Sequence, residues 1–318
     1  MRILKFGGKS LSSVEKTQNI CKNIKKIYKK DKNIIIVVSA IGNSTDNLLS
    51  LAEKYSPKTT PKNELAKLLS TGEIISSSLF SMMLNNMGVP AKSFSAYELE
   101  IKTFGDPTDS RIAYINKSKI IHCFENGVVS VVAGFQGVNN NNEITTLGRG
   151  GSDTTAAALG AVFNSSVEIY SDFNGVFSGD PRILKFKKIK RASYSLMLKM
   201  AKAGAKVLDQ RAVSLAQKHN TKIISKSSTS FNSKGTEISL IESDFISIAE
   251  ISPLSKITIN FSNNNKLNFI VKNVLSCLND IKFYNLTINN DEIHFLIDAT
   301  KKLNFINIIS KKLNILSK

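Results

Sequence analysis

Residues 34–38 read IIIVV, apolar and β-branched at every position. A strand with one wet face alternates apolar and polar side chains. An unbroken run therefore predicts a central strand of a parallel sheet, covered by helices on both faces. The neighbouring segments fit that frame. A strand-like ILKF at 3–6 comes first, and Val14, Thr17, Ile20, Cys21, Ile24 and Ile27 then recur at helical spacing until 31–33 breaks the pattern. A helix over 65–87, a strand near 91–95, a polar passage, a helix near 117–124 and a buried strand at 128–133 follow. A strand at 167–171, helices at 194–203 and 211–218 with Gly204 as a stop between them, and a strand at 222–226 complete the alternation. Such alternation predicts a three-layer α/β domain with a mainly parallel central sheet, closing around Ser243.

Beyond that point Asn, Ile and Lys become frequent. The predicted order is strand 256–261, helix 267–278, strands 282–288 and 292–297, and helix 303–313. This βαββα order is one strand short of a ferredoxin-like unit. The expected division is a large domain at 1–242 and a small α+β domain at 243–318.

With 318 residues, 42% of them hydrophobic, the chain can bury such a core. No apolar run approaches the roughly 18 residues of a membrane span. Met1 and Arg2 lead directly into ILKF without a signal-peptide core, so a cytoplasmic location and no membrane partner are expected. Cys21, Cys123 and Cys277 are odd in number and scattered, which fits neither a disulfide framework nor a zinc site, and they read as core thiols. His122, His219 and His294 stand in separate elements and read as structural. The net charge of +18 comes from lysines dispersed along the chain. Phosphate backbones are bound by clustered cations, so no nucleic-acid partner is expected.

Chemistry concentrates at 145–158, TTLGRGGSDTTAAA, a glycine-rich turn with one cation (Arg149) and one anion (Asp153) that opens an alanine-rich helix. Unsatisfied N–H groups at a helix start, approached closely past Gly148, Gly150 and Gly151, suit an anionic ligand. At 5–10, KFGGKS sets Lys5 beside the bare backbone of Gly7 and Gly8 where a strand runs out. It is no Walker loop, because Ile3 stands where that pattern needs glycine. Taken singly, Ser39 and Thr45 read equally as turn or cap hydroxyls, Asp153 as an N-cap, Glu73 as a solvated helix charge and Lys5 as a surface lysine.

Their order along the chain adds more. KFGGKS, SAIGNSTDNL at 39–48, STGE at 70–73, the glycine turn and SDFNGVFSGDPR at 171–182 follow one another as in a known family. The chain resembles the aspartate kinases of the amino-acid kinase superfamily over roughly residues 1–240. GRGGSDTT together with SDFNGVFSGDPR is highly specific to those enzymes. Acetylglutamate, glutamate and uridylate kinases share the fold but lack the pair.

The resemblance implies the three-layer amino-acid kinase fold and transfer of the ATP γ-phosphoryl group to the side-chain carboxylate of L-aspartate. The product, 4-phospho-L-aspartate, opens lysine, threonine and methionine biosynthesis. It further implies that Lys5 holds the β- and γ-phosphates, that Gly7 and Gly8 offer backbone donors, and that Asp153 steers the reacting centre. Arg149 would grip the α-carboxylate of aspartate and Glu73 its α-ammonium, with hydroxyl contacts from Ser39, Thr45 and Ser152. Ser171, Asp172, Phe177, Asp180 and Arg182 would wrap the nucleotide, and Lys206 and Val207 would form the adenine-side wall. Mg²⁺ would accompany ATP through phosphates and water, with no protein metal ligand assigned.

Three departures from the family stand out. Lys9 replaces the usual threonine and Phe177 the usual tyrosine. The C-terminus has room for one ACT-like domain where relatives carry two that bind lysine or threonine and close the dimer. There, SNNNK at 262–266 replaces the Asp-Lys-Pro-Gly turn of the effector site. Weak or absent end-product inhibition is therefore expected. A strand at 245–251 would be left with an unpaired edge, through which two copies would form a homodimer. A superfamily kinase with another acidic acceptor, and a catalytically decayed regulatory subunit, are the other readings the sequence leaves open.

Overall fold

The computed structural model describes residues 1–203, 205, 207–241, 246–251, 256–261, 266–278, 283–289, 291–297 and 302–316. Strand β1 (Arg2–Phe6) leads through a tight turn (Gly8–Leu11) into α1 (Val14–Tyr28), and β2 (Ile34–Val38) follows. Next come α2 (Ser44–Tyr55), α3 (Lys62–Asn86), β3 (Ala91–Phe94), β4 (Lys102–Asp106), β5 (Asp109–Tyr114) and α4 (Ser118–Glu125). Strands β6 (Val129–Ala133), β7 (Gln136–Val138) and β8 (Ile144–Thr146) precede α5 (Gly151–Val162) and β9 (Val167–Ser171). Short strands β10 (Val176–Phe177), β11 (Lys188–Ile189) and β12 (Arg191–Ser193) run into α6 (Tyr194–Lys202) and α7 (Gln210–Lys218). The chain ends with β13 (Ile223–Ser227), β14 (Thr236–Ser239), β15 (Ile246–Ile251), β16 (Lys256–Phe261), α8 (Leu267–Leu278), β17 (Phe283–Ile288), β18 (Glu292–Ile297) and α9 (Lys302–Lys312). Two compact units result, Met1–Asn174 with Arg211–Gly235, and Gly175–Gln210 with Thr236–Lys318.

In the first unit a parallel sheet runs β13-β9-β1-β2-β6-β3. All five β2 side chains are buried, as an unbroken apolar run requires. Leu4, Phe6, Ile36 and Val38 pack with Ile20 and Ile24 of α1 and Phe80 and Leu84 of α3 in one core. Alternate positions point to the other face, so Lys5 and Val37 look toward α5, which lies over β1, β2 and β9. Helix α5 can lie close because its buried residues, Leu159 apart, are Gly, Ala, Ser and Thr. At Gly160 a Cβ would come within 2.5 Å of Val167 Cγ2. A second, four-stranded sheet of this unit runs β5-β4-β7-β8.

A buried ion cluster ties three strands together. Glu168 accepts from Arg2 Nε at 2.9 Å, from Lys226 Nζ at 2.9 Å and from the Tyr170 hydroxyl at 2.7 Å. Burial alone would raise its carboxyl, but these bonds outweigh it and hold the pKa below the ordinary value. Tyr170, whose ring stacks on Phe6 and Phe231 at 4.9 and 4.7 Å, is pushed upward chiefly by burial and then by Glu168.

The second unit contains an antiparallel sheet, β15-β16-β18-β17, with α8 and α9. Its core joins Ile257, Ile259 and Phe261 of β16 to Ile270 of α8, Phe295 of β18 and Phe305 of α9. The strand expected to be left over has one partner within the sheet. Strand β15 pairs along its length with β16, supplying the fourth strand the predicted βαββα order lacked. The outward Ile248 N–H donates to Ser178 O at 2.8 Å within the same unit. β15 stands at the end of that sheet, so among the described residues its other edge pairs with no further strand. Gly204, Phe245, Lys282 and residues 262–265 of the SNNNK turn lie outside the described residues.

The three cysteines are free and buried, and burial lifts the Cys21 thiol to about 12. Among the described residues no helix is long and apolar enough to cross a membrane, and no group of three or more His, Cys, Asp or Glu could hold a metal ion. His122 lies exposed on α4, His219 follows α7, and His294 on β18 bonds Thr258 Oγ1 at 3.0 Å.

Candidate active site

At the carboxyl ends of β1 and β2 the chain makes two close crossings. Gly8 passes so near the segment after β2 that a Cβ would sit 2.4 Å from the Ala40 carbonyl oxygen, and Gly42 N–H donates to Gly8 O at 3.0 Å. Helix α3 approaches the same segment at Gly72, where a Cβ would meet Ala40 Cβ at 2.8 Å. Missing side chains at these two positions thus bring the first glycine turn, residues 39–42 and the middle of α3 together.

That approach places Glu73. The residue is 3% exposed, its Oε1 accepts from the Ala40 N–H at 3.0 Å, and its Oε2 is buried without a hydrogen-bond partner. Burial pushes its pKa up to about 7, against the lowering effect of the Ala40 N–H, its own N–H and the nearby Lys5 ammonium. A carboxylate half-satisfied inside the protein is costly. It suits a cationic donor arriving from outside.

Lys5, pointing to the α5 face, pairs with Asp153 in the first turn of that helix, Nζ to Oδ1 2.6 Å. Ser152 beside it is buried, its Oγ 2.9 Å from where a Cβ on Gly134 would stand. Gly150, left-handed with φ 71°, precedes the helix and follows Gly148 with φ 69°; the exposed Arg149 stands between them. Ser39 bonds through its N–H to Phe6 O at 3.1 Å, next to Ala40, and half-buried Thr45 sits in the first turn of α2. Gly7 donates its N–H to Tyr170 O at 3.3 Å. Lys5, Gly7, Gly8, Ser39, Glu73, Ser152 and Asp153 therefore gather at one end of the sheet, with Thr45 and Arg149 on the elements that open there.

The residues read as nucleotide ligands divide between the units. In the first, the Ser171 hydroxyl exchanges bonds with the Phe173 backbone at 3.3 Å, and Asp172 lies 3.9 Å from Lys9 Nζ. In the second, half-buried Phe177 packs on the C-terminal core, and Asp180 accepts from the Arg182 backbone N–H at 2.9 Å and from its guanidinium, Nε–Oδ1 2.9 Å, Nε–Oδ2 3.1 Å and Nη2–Oδ2 2.6 Å. Hydrogen bonding to that guanidinium is the main cause holding the Asp180 carboxyl below its ordinary range. Val207 is half-buried, and Lys206 lies outside the described residues.

Three contributors escape a sequence reading. Ala40 acts through its backbone. Gln136 accepts from the Ala96 N–H at 3.1 Å and donates to Ser70 O at 3.1 Å, tying α3 to the strands. Arg211 pairs with Asp109 and donates from Nη2 to the Arg149 carbonyl at 2.9 Å. Gln136 and Arg211 stand outside the motifs, Ala40 contributes only a backbone N–H that its identity does not disclose, and the pairings join residues 33 to 102 positions apart.

Residues 1–225 match the family model described as the amino acid kinase family. An aspartokinase of Geobacillus stearothermophilus is 41% identical over 238 residues, covering 74% of this chain and 58% of that protein. Aspartokinase 2 of Bacillus subtilis is 43% identical over 229 residues, 71% of this chain and 56% of that one. The chain thus spans a little over half the length of these relatives. Among solved structures, E. coli aspartokinase III in complex with aspartate and ADP superposes with a TM-score of 0.83, covering 99% of this chain and 100% of that one. At 17% identity that likeness concerns the fold. Aspartate kinase from Synechocystis gives 0.66 at 25% identity, covering 100% of this chain and 70% of the other.

Proposed function

The chain belongs to the amino acid kinase family, and we propose that it is an aspartate kinase, moving the γ-phosphoryl group of ATP to the side-chain carboxylate of L-aspartate. A carboxylate oxygen forms the new bond to phosphorus as the bond to the bridging oxygen of ADP breaks. No proton has to move. Two anions must instead be brought together, so positioning and charge neutralisation carry the reaction.

The single observation behind this assignment is Glu73, buried, bonded at one oxygen and unmet at the other, beside Lys5. The α-ammonium of a free amino acid supplies the missing donor. Arg149 takes the α-carboxylate with its planar fork, and Ser39, Thr45 and Ser152 offer hydroxyls. Lys5 neutralises the β- and γ-phosphates, held in place by Asp153, while Gly7 and Gly8 leave the backbone open to the transferred group. Ser171, Asp172, Phe177, Asp180, Arg182, Lys206 and Val207 are assigned to the nucleotide. Mg²⁺ arrives on ATP, held by phosphates and water.

Residues 1–242 form the catalytic domain in this account and 243–318 an ACT-like domain. The ββαββα order and four-stranded antiparallel sheet of the described part support the small domain, and the compact unit that holds it also takes in Gly175–Gln210 and begins again at Thr236. The protein works in the cytoplasm as a homodimer joined through the small domain, where β15 offers a sheet edge. A coupled ADP-release assay over aspartate, glutamate and N-acetylglutamate tests the acceptor. Turnover with aspartate alone supports the assignment. Preference for N-acetylglutamate, which lacks a free ammonium, overturns it.

A further inference from the structure

Gly148 and Gly150, on either side of Arg149, both take left-handed φ. Glycine moves between backbone basins at little cost, so the turn has no steric lock of its own. Its restraint comes from α7 and the head of β5. Arg211 Nη2 donates to the Arg149 carbonyl at 2.9 Å, while Nη1 of the same guanidinium pairs with Asp109 Oδ1. The pair lies flat against Gly148, where a Cβ would stand 2.3 Å from Asp109 Oδ1 and 2.7 Å from Arg211 Nη2. Glycine is needed there to admit the pair as well as for its φ. One planar fork meets a carboxylate and a carbonyl at once, which an ammonium on a flexible stem cannot reproduce.

On the aspartate kinase assignment above, we propose that Arg211, braced by Asp109, is a positioning residue for the amino-acid substrate. It acts through the Arg149 carbonyl to hold the Arg149 guanidinium where the α-carboxylate docks. Arg211 itself touches no substrate. Without it the glycine turn must be ordered when aspartate binds, and that ordering cost weakens aspartate alone.

Steady-state kinetics of wild type, Arg211→Met, Arg211→Lys, Asp109→Asn, Arg149→Ala and the double variant Arg149→Ala/Arg211→Met test this, with thermal unfolding measured alongside. Arg211→Met is expected to raise KM for aspartate about tenfold or more, as an ordering cost of one to a few side chains implies, with KM for ATP and kcat within about twofold. Arg211→Lys recovers only part of the loss, and the double variant is no worse than Arg149→Ala. An unchanged KM for aspartate, equal rises for both substrates, or additive effects in the double variant overturn the proposal. Should Arg211→Met fail to fold, Arg211→Lys and Asp109→Asn carry the same comparison. Wild type inactive on aspartate overturns the kinase assignment as well, whereas active wild type with indifferent variants overturns only the role of Arg211.

Discussion

Lys5 Nζ lies 2.6 Å from Asp153 Oδ1, and the two side chains keep 10% and 13% of their surface exposed. One comes from the central strand β1 and the other from the first turn of α5, so the pair bridges sheet and helix. Breaking a buried pair by removing one partner costs about 3–5 kcal/mol of stability, and losing a donor aimed at developing charge costs about 3–4 kcal/mol in the barrier. Lys5→Ala should therefore lower turnover at least about 100-fold and shift urea unfolding to lower concentration. Lys5→Ala/Asp153→Ala should unfold later than Lys5→Ala alone, because the stranded carboxylate is gone. Activity of Lys5→Ala within tenfold of wild type would contradict the account.

Glu73 sets a pH dependence. Its pKa is raised by burial from 4.5 to about 7, so between those values the folded protein binds more protons than the unfolded chain. Its contribution is fully present below pH 4.5 and is lost as pH rises through 7, a change on the order of 3 kcal/mol. Glu73→Gln should gain stability relative to wild type across that window, read by urea unfolding at pH 5 and pH 7.5. Because only the carboxylate attracts the α-ammonium, KM for aspartate should climb in wild type as pH falls below about 7. A flat difference in stability across the window would remove the burial argument.

The two glycines after Lys5 should respond differently to alanine. A Cβ on Gly7 would meet Lys5 Nζ at 3.5 Å and Tyr170 O at 3.8 Å, ordinary contacts, whereas one on Gly8 would meet a backbone oxygen at 2.4 Å. Gly8→Ala is expected to cost about 1–3 kcal/mol and Gly7→Ala less than about 1 kcal/mol. Thermal unfolding ranks them, and equal shifts would count against the crossing at Ala40.

Lys9 points outward from the first glycine turn. Its side chain is 78% exposed and its Nζ stands 3.9 Å from Asp172, a surface pair worth at most about 1 kcal/mol. Lys9→Thr should change kcat/KM by less than about fivefold. A tenfold rise in turnover would mean that the lysine obstructs the site.

Much of the frame is legible in the sequence because burial leaves a periodic trace. The runs at 34–38 and 167–171 are strands at those residues, and the spacing from Val14 to Ile27 is helix α1. Helix α2 is absent from the expected elements although Leu48, Leu51, Ala52 and Tyr55 recur at helical spacing; of these only Ala52 is buried. Strands β7, β8, β10, β11 and β12 have only two or three residues, too few for a period. The site divides the same way. Motif residues such as Lys5 and Asp153 are visible from their order along the chain, but the Ala40 N–H that holds Glu73 and the Arg211 fork beneath Arg149 are products of folding, carried by no local pattern.

The central claim is that one cleft joins ATP to the side-chain carboxylate of aspartate. Incubating the protein with ATP, Mg²⁺, L-aspartate and hydroxylamine tests it directly, because an acyl phosphate is captured as a coloured hydroxamate. Colour that requires both ATP and aspartate, and that disappears in Lys5→Ala, is the predicted result. Well-folded protein that yields no hydroxamate from aspartate would contradict the claim.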